Sequence, residues 1–198
     1  MPPKVQKPSN VRLLGQVDAQ QLTALAQRVS VTTWGEEDAR KENDFEVFDH
    51  TQHVVFRFIR GNRDPEDSYA NPAWDIWEPV LMPVMQAAIL PYAFRKPRFP
   101  KAMLAKLSAG HAIDPHYDGA GSNQRVHKIH VPLVTNPDAI FLVDGESFHL
   151  EAGNAYEVNN IVSHGAANSG SEDRIHFIFE VFESDYESAI RESATADV

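Results

Sequence analysis

The sequence predicts a mainly β protein with flanking helices, its strands building a closed or double-sheet core. Three observations predict it. From residue 102 onward, short runs rich in β-branched and aromatic residues alternate with turns. Two strong tight-turn signals, Asp144-Gly145 and Gly153-Asn154, punctuate that region. Helical spacing of apolar residues is confined to the part before Pro91.

Taken in order, Met1 to Asn10 is polar, rich in proline and lysine, and reads as a loose lead-in. Asp18 can cap a helix in which Leu22, Leu25, Ala26 and Val29 share a face, with Gln21 placed to complete a capping box. His53 to Arg60 is a strand ending at Gly61-Asn62, and Arg63 to Asn71 is a polar loop. Pro79 suits the first turn of a helix that runs toward Leu90, with Trp77, Leu81, Val84 and Ala88 on one side. Pro83 disturbs its early part, and Pro91 ends it. The expected strands then follow at 102–107, 126–134, 140–143, 147–150, 155–158 and 174–182. No internal repeat or low-complexity segment interrupts them.

At 198 residues the chain is long enough for one well-filled domain, and no shift in composition suggests a second. A formal charge of −10 repels polyanions, so neither nucleic acid nor an anionic membrane is an expected partner; a small anion held by one or two buried cations is not excluded. Cysteine is absent. That removes disulfides, thiolate nucleophiles and iron–sulfur clusters, and leaves histidine and carboxylates as the strong metal ligands. The N-terminal residues lack the apolar stretch of a signal peptide, and no run reaches membrane-spanning length, so a cytoplasmic location is expected.

The chemistry concentrates in His116-Tyr117-Asp118, His164 and Arg174. Two imidazoles and one carboxylate can hold a redox-active iron by one face and leave the opposite face open. In an extended segment, residues two apart point to the same side, so His116 and Asp118 can reach one ion. Taken alone, the spacing is not specific, and a surface His beside an Asp in a polar loop has the same signature. His164 follows the apolar pair Ile161-Val162 and precedes Gly165 at a strand end, where a histidine is more often a hydrogen-bonded structural residue than a ligand. In the last strand Arg174, His176, Ile178 and Glu180 share one face, opposite Ile175, Phe177, Phe179 and Val181. An arginine opening so apolar a strand is either a solvated end residue or a two-pronged clamp for a carboxylate. Lys128 and His130 share a face backed by Ile129, Val131 and Leu133, which suits a pocket wall or a solvent-facing sheet equally well.

These segments, with Leu142-Val143-Asp144-Gly145-Glu146, Glu151-Ala152-Gly153-Asn154, Asn159-Asn160 and Asn168, resemble the aspartyl/asparaginyl β-hydroxylase family of Fe(II)/2-oxoglutarate dioxygenases. The likeness covers about residues 100 to 183 and is looser upstream. It implies a double-stranded β-helix, or jelly roll, of the cupin-like kind. The implied organisation is one dioxygenase domain over 1–198. About 1–99 would be helices and strands packing on the core, about 100–183 the catalytic jelly roll, and 184–198 a polar tail.

Carried over to this chain, the resemblance makes His116, Asp118 and His164 the iron ligands, Arg174 the clamp for the far carboxylate of 2-oxoglutarate, and His130 a histidine near that cosubstrate. Lys128 stands where an arginine is usual, keeping the charge and losing the two-pronged geometry. Asp118 supplies a carboxylate that some members lack. The implied activity consumes O2 and 2-oxoglutarate at Fe(II), releases succinate and CO2, and hydroxylates an unactivated C–H bond of an amino acid, a peptide or protein side chain, or another small metabolite. Two other readings stand beside it: a non-catalytic jelly-roll sensor of a ligand or metal, and a cupin-like metalloenzyme that does not use 2-oxoglutarate. The sequence leaves the oligomeric state open.

Overall fold

The computed structural model describes residues 1–41, 46–119 and 121–184; the expected polar tail lies outside them from residue 185. Two antiparallel sheets form the body. The larger joins seven strands: β1 (Val11–Gln16), β2 (Thr51–Ile59), β3 (Ser68–Ala70), β4 (Pro97–Leu107), β6 (His127–Val134), β9 (Asn154–Val158) and β11 (Arg174–Glu183), in the order β1-β9-β6-β11-β4-β2-β3. The smaller joins β5 (His111–His116), β7 (Ala139–Val143), β8 (Glu146–Phe148) and β10 (His164–Asn168), in the order β5-β10-β7-β8. This is the mainly β, double-sheet architecture expected. The N-terminal part does more than pack on it, since β1, β2 and β3 are themselves strands of the large sheet.

Alternation along β11 divides the interior in two. Ile175, Phe177, Phe179 and Val181 join Phe56, Leu104, Ile129 and Val131 in a core closed on the outside by the helices. Those helices are α1 (Gln20–Ala26), α2 (Val31–Asp38) and α3 (Ala73–Ala88), which contribute Leu22, Trp34, Trp74, Leu81, Val84 and Met85. The other face of β11 looks between the sheets, where Leu107, Phe141, Val143, Leu150, Tyr156 and Val158 pack as a second cluster beside an open cavity. Among the described residues no helix is long and apolar enough to cross a membrane.

Several elements differ from the sequence expectation. The first helix is capped at Ala19 with no side-chain cap; Asp18 accepts from the Gln20 N–H at 3.1 Å, and the helix stops at Ala26, short of Val29. It stops there because Ser30 opens α2, its hydroxyl accepting from the Thr33 N–H at 3.0 Å. The next helix begins at Ala73, so Pro79 and Pro83 both lie inside it, where each lacks the N–H that would close a turn. Its buried face holds it against β1 and β2 regardless. The lead-in is also tied down: Val5 N–H donates to Gln124 O at 2.9 Å, and Asn159 Nδ2 reaches Pro8 O and Ser9 O at 3.0 Å each.

Candidate metal centre

The geometry at His116 starts with a proline. In the pairing of β5 with β10, His164 stands opposite His116 and Ala166 opposite Ile113, so Asp114 and Pro115 together face Gly165. Pro115 has no N–H for the ladder, and a bulge is where a strand accepts such a residue. The bulge brings the strands so close that a Cβ on Gly165 would lie 2.6 Å from Ile113 O and 3.2 Å from Pro115 N. Both histidine ligand candidates therefore rest on one tightly fitted pair of strands.

Each histidine is held by its own backbone. His116 Nδ1 lies 2.8 Å from Asp114 O and His164 Nδ1 lies 3.0 Å from Val162 O. A carbonyl only accepts, so both Nδ1 atoms carry hydrogen and both Nε2 atoms present lone pairs. Those Nε2 atoms lie 3.9 and 3.8 Å from Asp118 Oδ1, and one donor atom from each of the three residues falls within 4.8 Å of the others. Phe48 packs edge-on against the His116 ring, with centroids 5.5 Å apart.

Asp118 is divided between protein and site. Its Oδ2 accepts from Lys128 Nζ at 2.5 Å and from Asn160 Nδ2 at 2.9 Å, and Oδ1 is left facing the histidines. Burial by itself would raise the pKa of this carboxyl; Lys128, His164 and Asn160 outweigh burial and hold it well below the usual carboxylate range. Burial first, then Lys128, lowers His164 to about 4, which keeps its imidazole neutral and available. Lys128 is itself opposed by burial, and Asp118 and Glu180 raise it nonetheless. Its ammonium is thus engaged with the candidate ligand carboxylate. Behind Asn160 stands Lys7, whose Nζ donates to Asn160 Oδ1 and to Val126 O, each at 2.7 Å.

Arg174 opens β11 from inside the molecule. It is 5% exposed, so it is no solvated strand end, and burial lowers its pKa to about 10. Arg174 NH2 donates to His176 Nδ1 at 2.9 Å, and Nε is buried without a partner. His176 Nδ1 is also 3.3 Å from His130 Nδ1, and His130 Nε2 is buried without a partner. Burial first, then neighbouring cations, push both histidines well below their ordinary pKa. Arg174, His130, Lys128 and the three candidate ligands all line one cavity of about 570 Å³ between the sheets.

All six residues singled out in the sequence thus share a cavity. Asn160, Lys7 and His176 escaped attention as site residues. Asn160 was visible as part of the Asn159-Asn160 pair, and His176 shares the Arg174 face, but nothing in a polar, proline-rich lead-in marks Lys7.

Two antiparallel sheets around such a cavity, with two histidines and a carboxylate converging at its wall, define a jelly-roll metalloprotein with an iron-type ligand set. Residues 77–184 match the Aspartyl/Asparaginyl beta-hydroxylase family, and the chain belongs to that family of Fe(II)- and 2-oxoglutarate-dependent hydroxylases. No curated protein matches the sequence. Among solved structures, a 2OG-Fe(II) oxygenase family oxidoreductase from Burkholderia pseudomallei is similar with a TM-score of 0.53 at 10% identity, over 85% of this chain and 92% of that one. A viral collagen prolyl hydroxylase from Paramecium Bursaria Chlorella virus-1, solved as a 2OG complex, gives 0.51 at 9% identity over 89% and 97%. A non-heme monooxygenase, ThoJ, in a nickel complex gives 0.54 at 14% identity over 88% and 74%. At such low identity these likenesses show the fold.

Proposed function

We propose that His116, Asp118 and His164 hold Fe(II), that Arg174 secures 2-oxoglutarate, and that the protein hydroxylates an unactivated C–H bond of an amino acid, a peptide or protein side chain, or another small metabolite. The donor set fits the metal. Two Nε2 atoms and one carboxylate oxygen face a common point, each fixed by a second contact on its far side. Bound iron with 2-oxoglutarate and O2 supplies the oxidising chemistry: one oxygen atom goes into the C–H bond, and the other leaves in succinate as CO2 is lost.

The observation that carries the reading is Arg174. A guanidinium buried this deeply, with Nε unpartnered and no carboxylate paired with it among the described residues, calls for an anion from outside the chain. A dicarboxylate reaching from the metal wall to Arg174 supplies it. His130, buried on the floor with Nε2 unpartnered, lines the same path. A metalloenzyme without 2-oxoglutarate would leave Arg174 uncompensated. The chain's own residues thus fix ligand orientation, keep His164 neutral and surround the cosubstrate with apolar wall, chiefly Leu107, Ile113, Phe141 and Val158.

The test is the 2-oxoglutarate dependence of succinate formation, followed as uncoupled turnover. Losing one partner of a buried charge pair costs on the order of 2–5 kcal/mol, so Arg174→Met should need roughly 30- to several-thousand-fold more 2-oxoglutarate. Equal dependence in wild type and variant contradicts the assignment.

A further inference from the structure

The end of the cavity beyond Lys128 carries charged groups that neither the metal site nor the cosubstrate clamp uses. Strand register sets Lys101 of β4 opposite Glu180 of β11, and Glu180 opposite Lys128 of β6. Charge therefore alternates across the floor, with Asp118 following beside Lys128. Glu180 is 2% exposed; its Oε1 meets Lys101 Nζ at 3.4 Å, and its Oε2 is buried with no hydrogen-bond partner. Lys101, also buried, rests its ammonium 4.9 Å from the centre of the Phe58 ring. Both charged residues line the cavity.

We propose that Lys101 and Glu180 are the recognition pair for the prime substrate, and that this substrate is a free amino acid bound as its zwitterion. The substrate ammonium donates to Glu180 Oε2, and the substrate carboxylate accepts from Lys101 Nζ. This inference rests on the oxygenase reading above.

The paired signs select the class. A lone anion would bond Lys101 and leave Glu180 Oε2 unpartnered, and a lone cation would bond Glu180 in competition with Lys101. A zwitterion brings a partner for each. It also supplies the donor that Glu180 Oε2 lacks, relieving a buried acceptor that is otherwise costly to leave unpaired. An internal residue of a peptide carries neither backbone charge and offers Glu180 Oε2 only a neutral amide N–H in place of a charge-assisted donor. Position agrees as well. Glu180 and Arg174 stand six places apart on one face of β11, which at about 3.3 Å per residue separates them by roughly 20 Å. The recognition pair and the cosubstrate clamp therefore occupy opposite ends of one strand, and Lys128 links the recognition end to Asp118.

The test uses the Fe(II)-loaded full-length protein with 2-oxoglutarate and O2. Succinate release is measured alone, with each proteinogenic amino acid, with its N-acetyl form, which lacks the cation, and with its carboxamide, which lacks the anion. At least one free amino acid should raise the rate above the substrate-free level and gain one oxygen atom by mass spectrometry, while its blocked forms do neither. Glu180→Gln, checked for folding by its thermal melt, should raise the KM for that amino acid at least about 30-fold. Should that variant fail to fold, the blocked forms on the wild type decide the matter. Blocked forms that work as well as the free acid, or a folded Glu180→Gln protein with unchanged KM, overturn the proposal. So does a wild type that turns over 2-oxoglutarate slowly by itself and is stimulated by no free amino acid. A wild type that releases no succinate under any condition contradicts the oxygenase reading instead, and this inference falls with it.

Discussion

Lys128 Nζ stands 2.5 Å from Asp118 Oδ2, so one oxygen of the carboxylate is anchored by the protein and the other is turned toward His116 and His164. The anchoring is shared with Asn160, whose amide bridges Asp118 to Lys7.

That bridge predicts an effect at a residue that touches no metal. Asn160→Ala removes the 2.9 Å bond to Asp118 and leaves all three candidate ligands in place. Loss of such an outer contact lowers metal affinity by about 10- to 100-fold. Calorimetric titration with Fe(II) under anaerobic conditions should find that loss, and an unchanged affinity would mean that Asp118 does not depend on Asn160 for its orientation.

Gly165 makes a second prediction. The added Cβ in Gly165→Ala would meet backbone atoms of β5 at 2.6 and 3.2 Å, and backbone cannot move aside as a long side chain can. The variant should lose about 1–3 kcal/mol of stability by overpacking, and its metal affinity as well, because the strands that separate carry His116 and His164. Urea unfolding and Fe(II) titration read the two effects; a wild-type result in both would show that the strand contact does not position the ligands.

The buried histidines predict the pH dependence of the metal-free protein. Burial depresses His130 and His176 well below the ordinary value and lowers His164 to about 4. As pH falls from about 6.5 toward 4, the unfolded chain takes up protons at these positions while the folded chain does not. Stability present above pH 6.5 is therefore lost on acidification, at about 1.4 kcal/mol per pH unit for each such histidine. Chemical unfolding at a series of pH values checks the sign. Stability that is level or rises between pH 6.5 and 4 would contradict the buried, neutral state of these rings.

The sequence reveals the large sheet better than the small one, for a physical reason. β6 and β11 bury one face under the helices and alternate accordingly, so Ile129, Val131, Phe177 and Phe179 declare their strands. β5 and β10 do not alternate: one contains Pro115 in a bulge and the other is His-Gly-Ala-Ala-Asn, small because Gly165 must lie against β5. The strands that bear the histidines are therefore the ones that local pattern hides. β1 escaped as an edge strand with a largely open face, and α2 because Trp34 is its one buried residue. Proline favours a first turn and so points to a start of α3 at Pro79, whereas the buried side from Trp74 to Ala88 outweighs two interior prolines. At the site, residue types and spacing were enough to single out His116, Asp118, His164 and Arg174. The partner of Lys128 and the roles of Lys7, Asn160 and Glu180 depend on register and on long-range contacts that spacing does not encode.

The central claim is that His116, Asp118 and His164 form one Fe(II) site that leaves adjacent positions for 2-oxoglutarate. Anaerobic titration of the metal-free protein with Fe(II), followed by 2-oxoglutarate and read by visible absorbance, tests it most directly. One Fe(II) should bind per chain, 2-oxoglutarate should add a weak visible charge-transfer band, and His164→Ala should abolish that band. Fe(II) affinity unchanged in both His116→Ala and His164→Ala, or no band in the iron-loaded wild type, would contradict the account.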